Sequence, residues 1–311
     1  MLAYNAPMLS RREFIAGSAG TALALRARAG LPAVISTWDF GRAANAEAWK
    51  VLEAGGNALD AVERGVNQAE LDPENLSVGF GGLPDEEGEV TNDAIVFWGP
   101  THAAGAVGCL KRVKRPISVA RKVMEKTKHT LLVGEDATRF ALKMGFPEEK
   151  ELLTDKARAR WEAWKKDPKR EAFWNHDTIG MVAVDRNGDV CAGTSTSGLA
   201  FKIKGRVGDV PIPGAGAYVD NDVGGVAATG NGDVMMRFAP AITALEAMRA
   251  GVPPSEACAR ALARIEAKGY RVSACLVALT KKGDGGAAKI GGRPFPYAVR
   301  DGQTDEVRRV P

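Results

Sequence analysis

The stretch His176-Asp177-Thr178-Ile179-Gly180-Met181-Val182-Ala183-Val184-Asp185 runs through Arg186-Asn187-Gly188-Asp189 into Val190-Cys191-Ala192-Gly193-Thr194-Ser195-Thr196. Two apolar runs flank an Asn-Gly pair, and that pattern predicts an antiparallel hairpin. With Asn187 and Gly188 as the two turn residues, Arg186 faces Asp189 and Thr178 faces Ser197. A loop that shifts the register by one puts Thr178 opposite Thr196. Opposed residues carry Cβ atoms about 5 Å apart, so either register sets a second hydroxyl beside Thr178.

Working outward, the apolar spacing predicts strands over 32–37, 90–97, 103–108, 131–133, 225–228, 273–280, 286–290 and 295–300. Helices are predicted over 43–54, 57–70, 116–126, 135–144 and 253–268, and 234–250 is helical in composition, with Pro240 kinking it or marking its true start. Residues 77–82 form a Gly-rich turn. Residues 155–175, dense in Lys, Arg, Glu and Trp, read as a mobile or helical surface segment. Helices and strands come in blocks and the hairpins imply antiparallel sheet, which gives an α+β chain of layered construction without a repeat period.

Composition narrows the classes. The chain is 45% hydrophobic and 26% charged, ordinary for a globular protein of this length. A net charge of +4 without a basic stripe or interleaved aromatics gives no footprint for nucleic acid. No apolar run reaches membrane-spanning length. Cys109, Cys191, Cys258 and Cys275 lack metal-type spacing and are expected as buried thiols. The three histidines are too scattered for a metal cluster. Ser10-Arg11-Arg12-Glu13-Phe14-Ile15, the weakly apolar 16–25 and Ala27-Arg28-Ala29 fit a twin-arginine export signal with its cleavage site. The expectation is an export signal over 1–29 and a periplasmic or secreted protein; without a working signal the chain stays cytoplasmic.

Several further motifs accompany the hairpin: Ser36-Thr37-Trp38, Ala46-Glu47-Ala48-Trp49-Lys50, Ser77-Val78-Gly79-Phe80-Gly81-Gly82 and Pro116-Ile117-Ser118-Val119-Ala120-Arg121 upstream. Gly193-Thr194-Ser195-Thr196-Ser197-Gly198, Gly205-Arg206-Val207-Gly208-Asp209 and Thr229-Gly230-Asn231-Gly232-Asp233 lie within it or downstream. Together they resemble the glycosylasparaginases (aspartylglucosaminidases), members of the N-terminal-nucleophile hydrolases, over most of the chain from about Pro32. Any one Gly-rich piece alone would be weak. The resemblance implies a four-layer αββα sandwich that cuts itself between Asp177 and Thr178, leaving an α chain of 30–177 and a β chain of 178–311.

The chemistry stands on its own terms. A threonine hydroxyl is a poor nucleophile and needs a base within reach. A terminal α-amine titrates at about 7.7–8.0 and can be that base, whereas a peptide nitrogen cannot. By resemblance, Thr178 is the nucleophile, Thr196 its hydrogen-bond partner, and Thr229 with Gly230 the oxyanion hole. Asp177 assists proton transfer during the cut, with His176 able to steer it, and Ser77 matches a position near the cleavage site. Arg206 would hold a substrate carboxylate by paired hydrogen bonds and Asp209 the ammonium, while Trp38 lines the pocket.

The implied reaction splits the side-chain amide of N4-(β-N-acetylglucosaminyl)-L-asparagine into aspartate and a glycosylamine, through a β-aspartyl-threonine ester. No metal or organic cofactor is expected, and neither is a nucleic-acid or membrane partner; the implied assembly is a homo-oligomer of cleaved αβ units. An isoaspartyl peptidase or L-asparaginase of the same superfamily is the alternative, although the His-Gly-Gly-Ala-Gly type start of that branch is absent. A non-catalytic Gly-rich binding protein is the reading from a different class.

Overall fold

The computed structural model describes residues 30–167, 177–292 and 294–311. The export signal read over 1–29, His176 and the part of the charged segment after Asp167 lie outside the described residues.

The hairpin forms as β5 (Ile179–Val184) and β6 (Val190–Thr196), every residue of both buried. Its register pairs Ile179 with Ser195 and Val184 with Val190. The two-residue turn is therefore not the one adopted. Asp185 N donates to Asp189 O at 3.1 Å and Gly188 N to Asp185 O at 3.0 Å, closing a three-residue loop, Arg186-Asn187-Gly188. Gly188 sits at φ +81°, the left-handed position that such a loop gives to glycine. Asp185 Oδ1 accepts from Asn187 N and Asp189 N, which stiffens the loop.

This hairpin is central to an eight-stranded sheet. Beside β5 lies β1 (Ala33–Thr37), then β11 (Phe295–Asp301) and β12 (Asp305–Val310). Beside β6 lie β2 (Thr91–Trp98), β3 (Ala103–Lys111) and β4 (Leu131–Val133). Among the described strand ladders only β3 and β4 run parallel. Strands from before and after Thr178 thus alternate in blocks across one hydrogen-bonded layer. The second sheet has four strands in the order β10 (Gly285–Ile290), β9 (Ala274–Thr280), β8 (Gly224–Gly230) and β7 (Ala217–Asp220).

Three apolar layers hold the molecule together. Helices α1 (Gly41–Glu53), α2 (Ala58–Glu70) and α3 (Pro116–Lys126) pack on the outer face of the large sheet through Ala48, Leu52, Val62, Val66, Ile117 and Met181. Ile35, Ile95, Phe97, Val182, Val219, Val277 and Phe295 fill the space between the sheets. Helices α7 (Pro240–Arg249) and α8 (Pro254–Ala267) cover the small sheet through Leu245, Leu262, Ile265 and Leu276. The chain is an α+β protein in four layers, αββα.

Local chemistry sets the boundaries. Asn57 caps α2 by accepting from Asp60 N at 2.8 Å. Pro116, Pro240 and Pro254 each open a helix, where a missing N–H costs nothing. The helical stretch 234–250 is two helices, α6 (Gly232–Phe238) and α7, and Pro240 marks the start of the second as expected, the two being parted at Ala239 with φ +45° because Pro240 cannot donate back. Two strands escaped the sequence pattern: β7, which is short, and β12, whose Asp305-Glu306-Val307-Arg308-Arg309-Val310 is charged because it is a sheet edge. The charged segment is helical as α5 (Asp155–Lys166) and buries only Ala157; α4 (Gly134–Lys143) completes the described α-helices. All four cysteines are buried.

Candidate active site

Thr178 lies one residue before β5, and the observed register carries it opposite Thr196. Both are nearly buried, at 5% and 4% exposure. The neighbouring strand holds Thr178 from the other side. Thr37 Oγ1 donates to Thr178 O at 2.5 Å and accepts from Gly180 N at 2.8 Å. Thr178 N donates across the sheet interface to Thr229 Oγ1 on β8 at 3.1 Å, and Trp38 Nε1 donates to the same oxygen at 3.1 Å. Both peptide units of Thr178 are thereby pinned by hydroxyls.

Thr196 reaches the other side of the Asp177–Thr178 bond. Its Oγ1 lies 3.2 Å from Ser77 O and 3.5 Å from Asp177 O, and Gly198 N donates to it at 2.9 Å. The hydroxyl has one proton, so Ser77 O and the Asp177 carbonyl compete for it. Ser77 O also accepts from Ser197 N and Ser197 Oγ, and so the Gly-rich turn is stitched to the end of β6. Trp38 is 5% exposed and stands edge-on to Phe295, with centroids 5.2 Å apart. Its indole sits behind Thr229 rather than among the residues that face the pocket.

That pocket is lined by Thr178, Thr196, Arg206, Asp209 and Gly230, with the loop Asn231-Gly232-Asp233 on its rim. A Cβ on Gly232 would lie 2.6 Å from Asp209 Oδ1 and 3.0 Å from Arg206 Nη2. The missing side chain therefore lets the two charged groups converge on one space. Asp209 is 4% exposed, and its Oδ2 has no hydrogen-bond partner. Burial, opposed by the Arg206 charge, raises its pKa to about 6. A buried carboxylate oxygen left open is costly, and in a pocket it marks a place for a cationic ligand group.

Four groups near the site carried no role in the sequence reading. Thr37 stood inside a quoted motif, and Asp233 closed another. Asp233 takes Arg206 Nε at 3.3 Å and Nη2 at 3.0 Å. Asp93, at the polar start of β2, accepts from Cys109 N at 2.9 Å and from Gly208 N at 3.4 Å, anchoring the Arg206–Asp209 loop from beneath. Lys202 is 3% exposed and donates to Ser197 O at 2.6 Å and Thr91 O at 3.2 Å. Burial lowers its pKa. Buried Asp93 was legible as a polar interruption of a strand; Lys202, in a Gly-flanked loop, gave no such signal. Among the described residues, no three His, Cys, Asp or Glu side chains gather as a metal site.

The family model described as asparaginase (Asparaginase_2) matches residues 15–307. The chain is 46% identical to an N(4)-(beta-N-acetylglucosaminyl)-L-asparaginase of Elizabethkingia miricola, over 87% of this chain and 82% of that protein. It is 43% identical to the enzyme of that name from Rattus norvegicus, over 83% and 84% of the two chains. The Mus musculus protein of the same name is 42% identical, over 85% and 86%. With the family model spanning nearly the whole chain, and relatives this similar along most of their length, the protein belongs to the asparaginase family.

Proposed function

We propose that this protein hydrolyses the side-chain amide of N4-(β-N-acetylglucosaminyl)-L-asparagine, and that it first cuts its own chain between Asp177 and Thr178. The observation that carries the reading is the convergence of Thr178 with the open Asp209 carboxylate and Arg206 in one pocket. An amino acid bound there by its carboxylate and ammonium presents its side-chain amide to the nucleophile. The names of the relatives supply the sugar-bearing amide.

In the self-cut, Thr178 Oγ attacks the Asp177 carbonyl carbon while the Asp177 carboxylate assists proton transfer. The C–N bond breaks, an ester joins Asp177 to Thr178 Oγ, and the nitrogen leaves as an amine. Water then cleaves the ester, restoring the hydroxyl. In turnover the free amine takes the hydroxyl proton, and Oγ attacks the substrate amide carbon. Thr229 and Gly230 stabilise the oxyanion. The glycosylamine departs with the proton, and water releases aspartate from the β-aspartyl ester.

A denaturing gel with N-terminal sequencing tests the cut: the smaller chain begins at Thr178. Rates on glycosyl-asparagine against β-aspartyl dipeptides test the substrate, and a preference for the dipeptides moves the enzyme to the isoaspartyl branch. The twin-arginine motif supports export to the periplasm; fractionation of cells carrying Arg11→Lys and Arg12→Lys together checks it. The resemblance also supports a homo-oligomer of cleaved units, to be read by sedimentation.

A further inference from the structure

Arg206 offers a carboxylate two edges, Nε with Nη2 and Nη1 with Nη2. Asp233 already takes the first, with Oδ1 3.3 Å from Nε and Oδ2 3.0 Å from Nη2. The Nη1 end lies against the backbone at Gly198 and Gly208, where a Cβ on either glycine would come within 2.9 Å of it. The guanidinium side chain is 16% exposed and the Asp233 side chain 45% exposed, so the pair sits at the pocket mouth with Arg206 inward. Both residues line the pocket.

We infer that Asp233 is a positioning residue: by holding the Nε–Nη2 edge it fixes the plane of the Arg206 guanidinium and leaves the Nη1 end to receive the carboxylate of an amino-acid substrate. This rests on the reading of Arg206 as the carboxylate anchor. Asp233 comes from the start of α6, capped by Asn231, whose Oδ1 accepts from Val234 N at 3.1 Å. The orienting carboxylate is therefore carried on a fixed helix end. A guanidinium bound along one edge loses its rotational freedom before the ligand arrives, which lowers the ordering cost of binding. Asp233 also faces Asp209, as do Arg206 in the same loop and Asp93 from β2. The two aspartates raise the Asp209 pKa and Arg206 lowers it, so Asp233 acts on the ammonium anchor as well.

The experiment uses the full-length, processed enzyme and compares wild type with Asp233→Asn and Asp233→Glu on glycosyl-asparagine across pH. Asp233→Asn is expected to raise KM roughly five-fold with kcat within two-fold, consistent with one charge-assisted hydrogen bond lost. The Asp209 limb of kcat/KM, near pH 6 and below the step of the Thr178 amine, is expected to move to lower pH, because a negative charge facing Asp209 has gone. Asp233→Glu keeps the charge and is expected to keep the limb in place; it also serves if the Asn variant folds poorly. A lower KM for Asp233→Asn would make Asp233 a competitor for Arg206 and overturn the inference. So would an unmoved Asp209 limb. If Arg206→Lys leaves KM unchanged, the anchor reading itself falls, whatever Asp233 does.

Discussion

The two walls of the pocket are built on opposite rules. On the wall that carries Thr178, the neutral groups are tied to one another: Thr37 to Thr178 O, Thr178 N and Trp38 to Thr229, Gly198 N to Thr196. On the wall of Arg206 and Asp209, a charge is left open: Asp209 Oδ2 has no partner, and Arg206 is held by a half-exposed Asp233. The first wall is complete without a ligand and fixes geometry. The second is incomplete and stores its unsatisfied electrostatics for a ligand. Changes on the first wall should appear in kcat, self-cutting and stability, and changes on the second in KM and pH dependence.

The largest effect tests the first wall at its centre. Thr178→Ala is expected to stay a single chain and to lose turnover by on the order of 10⁴-fold or more, checked by gel and by product release. Turnover by that variant would remove the nucleophile assignment. On the second wall, Asp209→Asn should lower kcat/KM by on the order of 10²-fold, the loss of a buried charged contact worth about 2–3 kcal/mol.

The same Asp209 change should make the empty protein more stable at alkaline pH. The folded pKa of Asp209 is raised, to about 6. Its contribution to stability is therefore fully present below the unfolded value of about 3.9 and lost as pH rises through about 6. Thermal unfolding at pH 8 should then show Asp209→Asn above wild type, by up to roughly 3 kcal/mol. A variant less stable than wild type would mean that the open carboxylate is not a stored cost. In wild type, kcat/KM should show a second acid step near pH 6 as Asp209 is protonated, below the step of the Thr178 amine, and this second step should be absent from Asp209→Asn.

Smaller effects sharpen the contrast. Trp38→Phe keeps the ring but removes the N–H on Thr229, and should lower kcat about ten-fold with little change in KM. A change confined to KM would instead return Trp38 to the pocket lining that the resemblance implies. Thr37→Val removes one donor and one acceptor and should cost about 1–2 kcal/mol of stability, read by denaturant unfolding, and slow the self-cut.

The sequence carried the fold through periodicity: α3 and β4 begin and end where the apolar spacing predicts. It missed β7 and β12 because neither alternates clearly, one being four residues long and the other an edge strand whose pairing is with β11 alone. The sequence leaves the hairpin turn open between two lengths, because Asn-Gly marks a loop without fixing its length; Asp185 and its side-chain hydrogen bonds decide for the longer one, which sets Thr178 opposite Thr196. The open oxygen of Asp209 and the edge-on grip of Asp233 depend on residues far apart in the chain, so no spacing could announce them. The resemblance named Arg206 and Asp209, but the hydrogen bonds around them come only from the fold.

The alternation of strands in the large sheet has a consequence for the cut protein. β1 lies between β11 and β5, and β2 pairs with β6, so each product of a break at Asp177–Thr178 donates strands into the other. The two polypeptides would be woven rather than docked, and parting them means tearing three backbone ladders. Once unfolded, they must find each other by diffusion, so recovery changes from a first-order event to a concentration-dependent one. The mature enzyme would be an assembly that its sequence can make only once, from a single chain, and whose lifetime is governed by how slowly it comes apart.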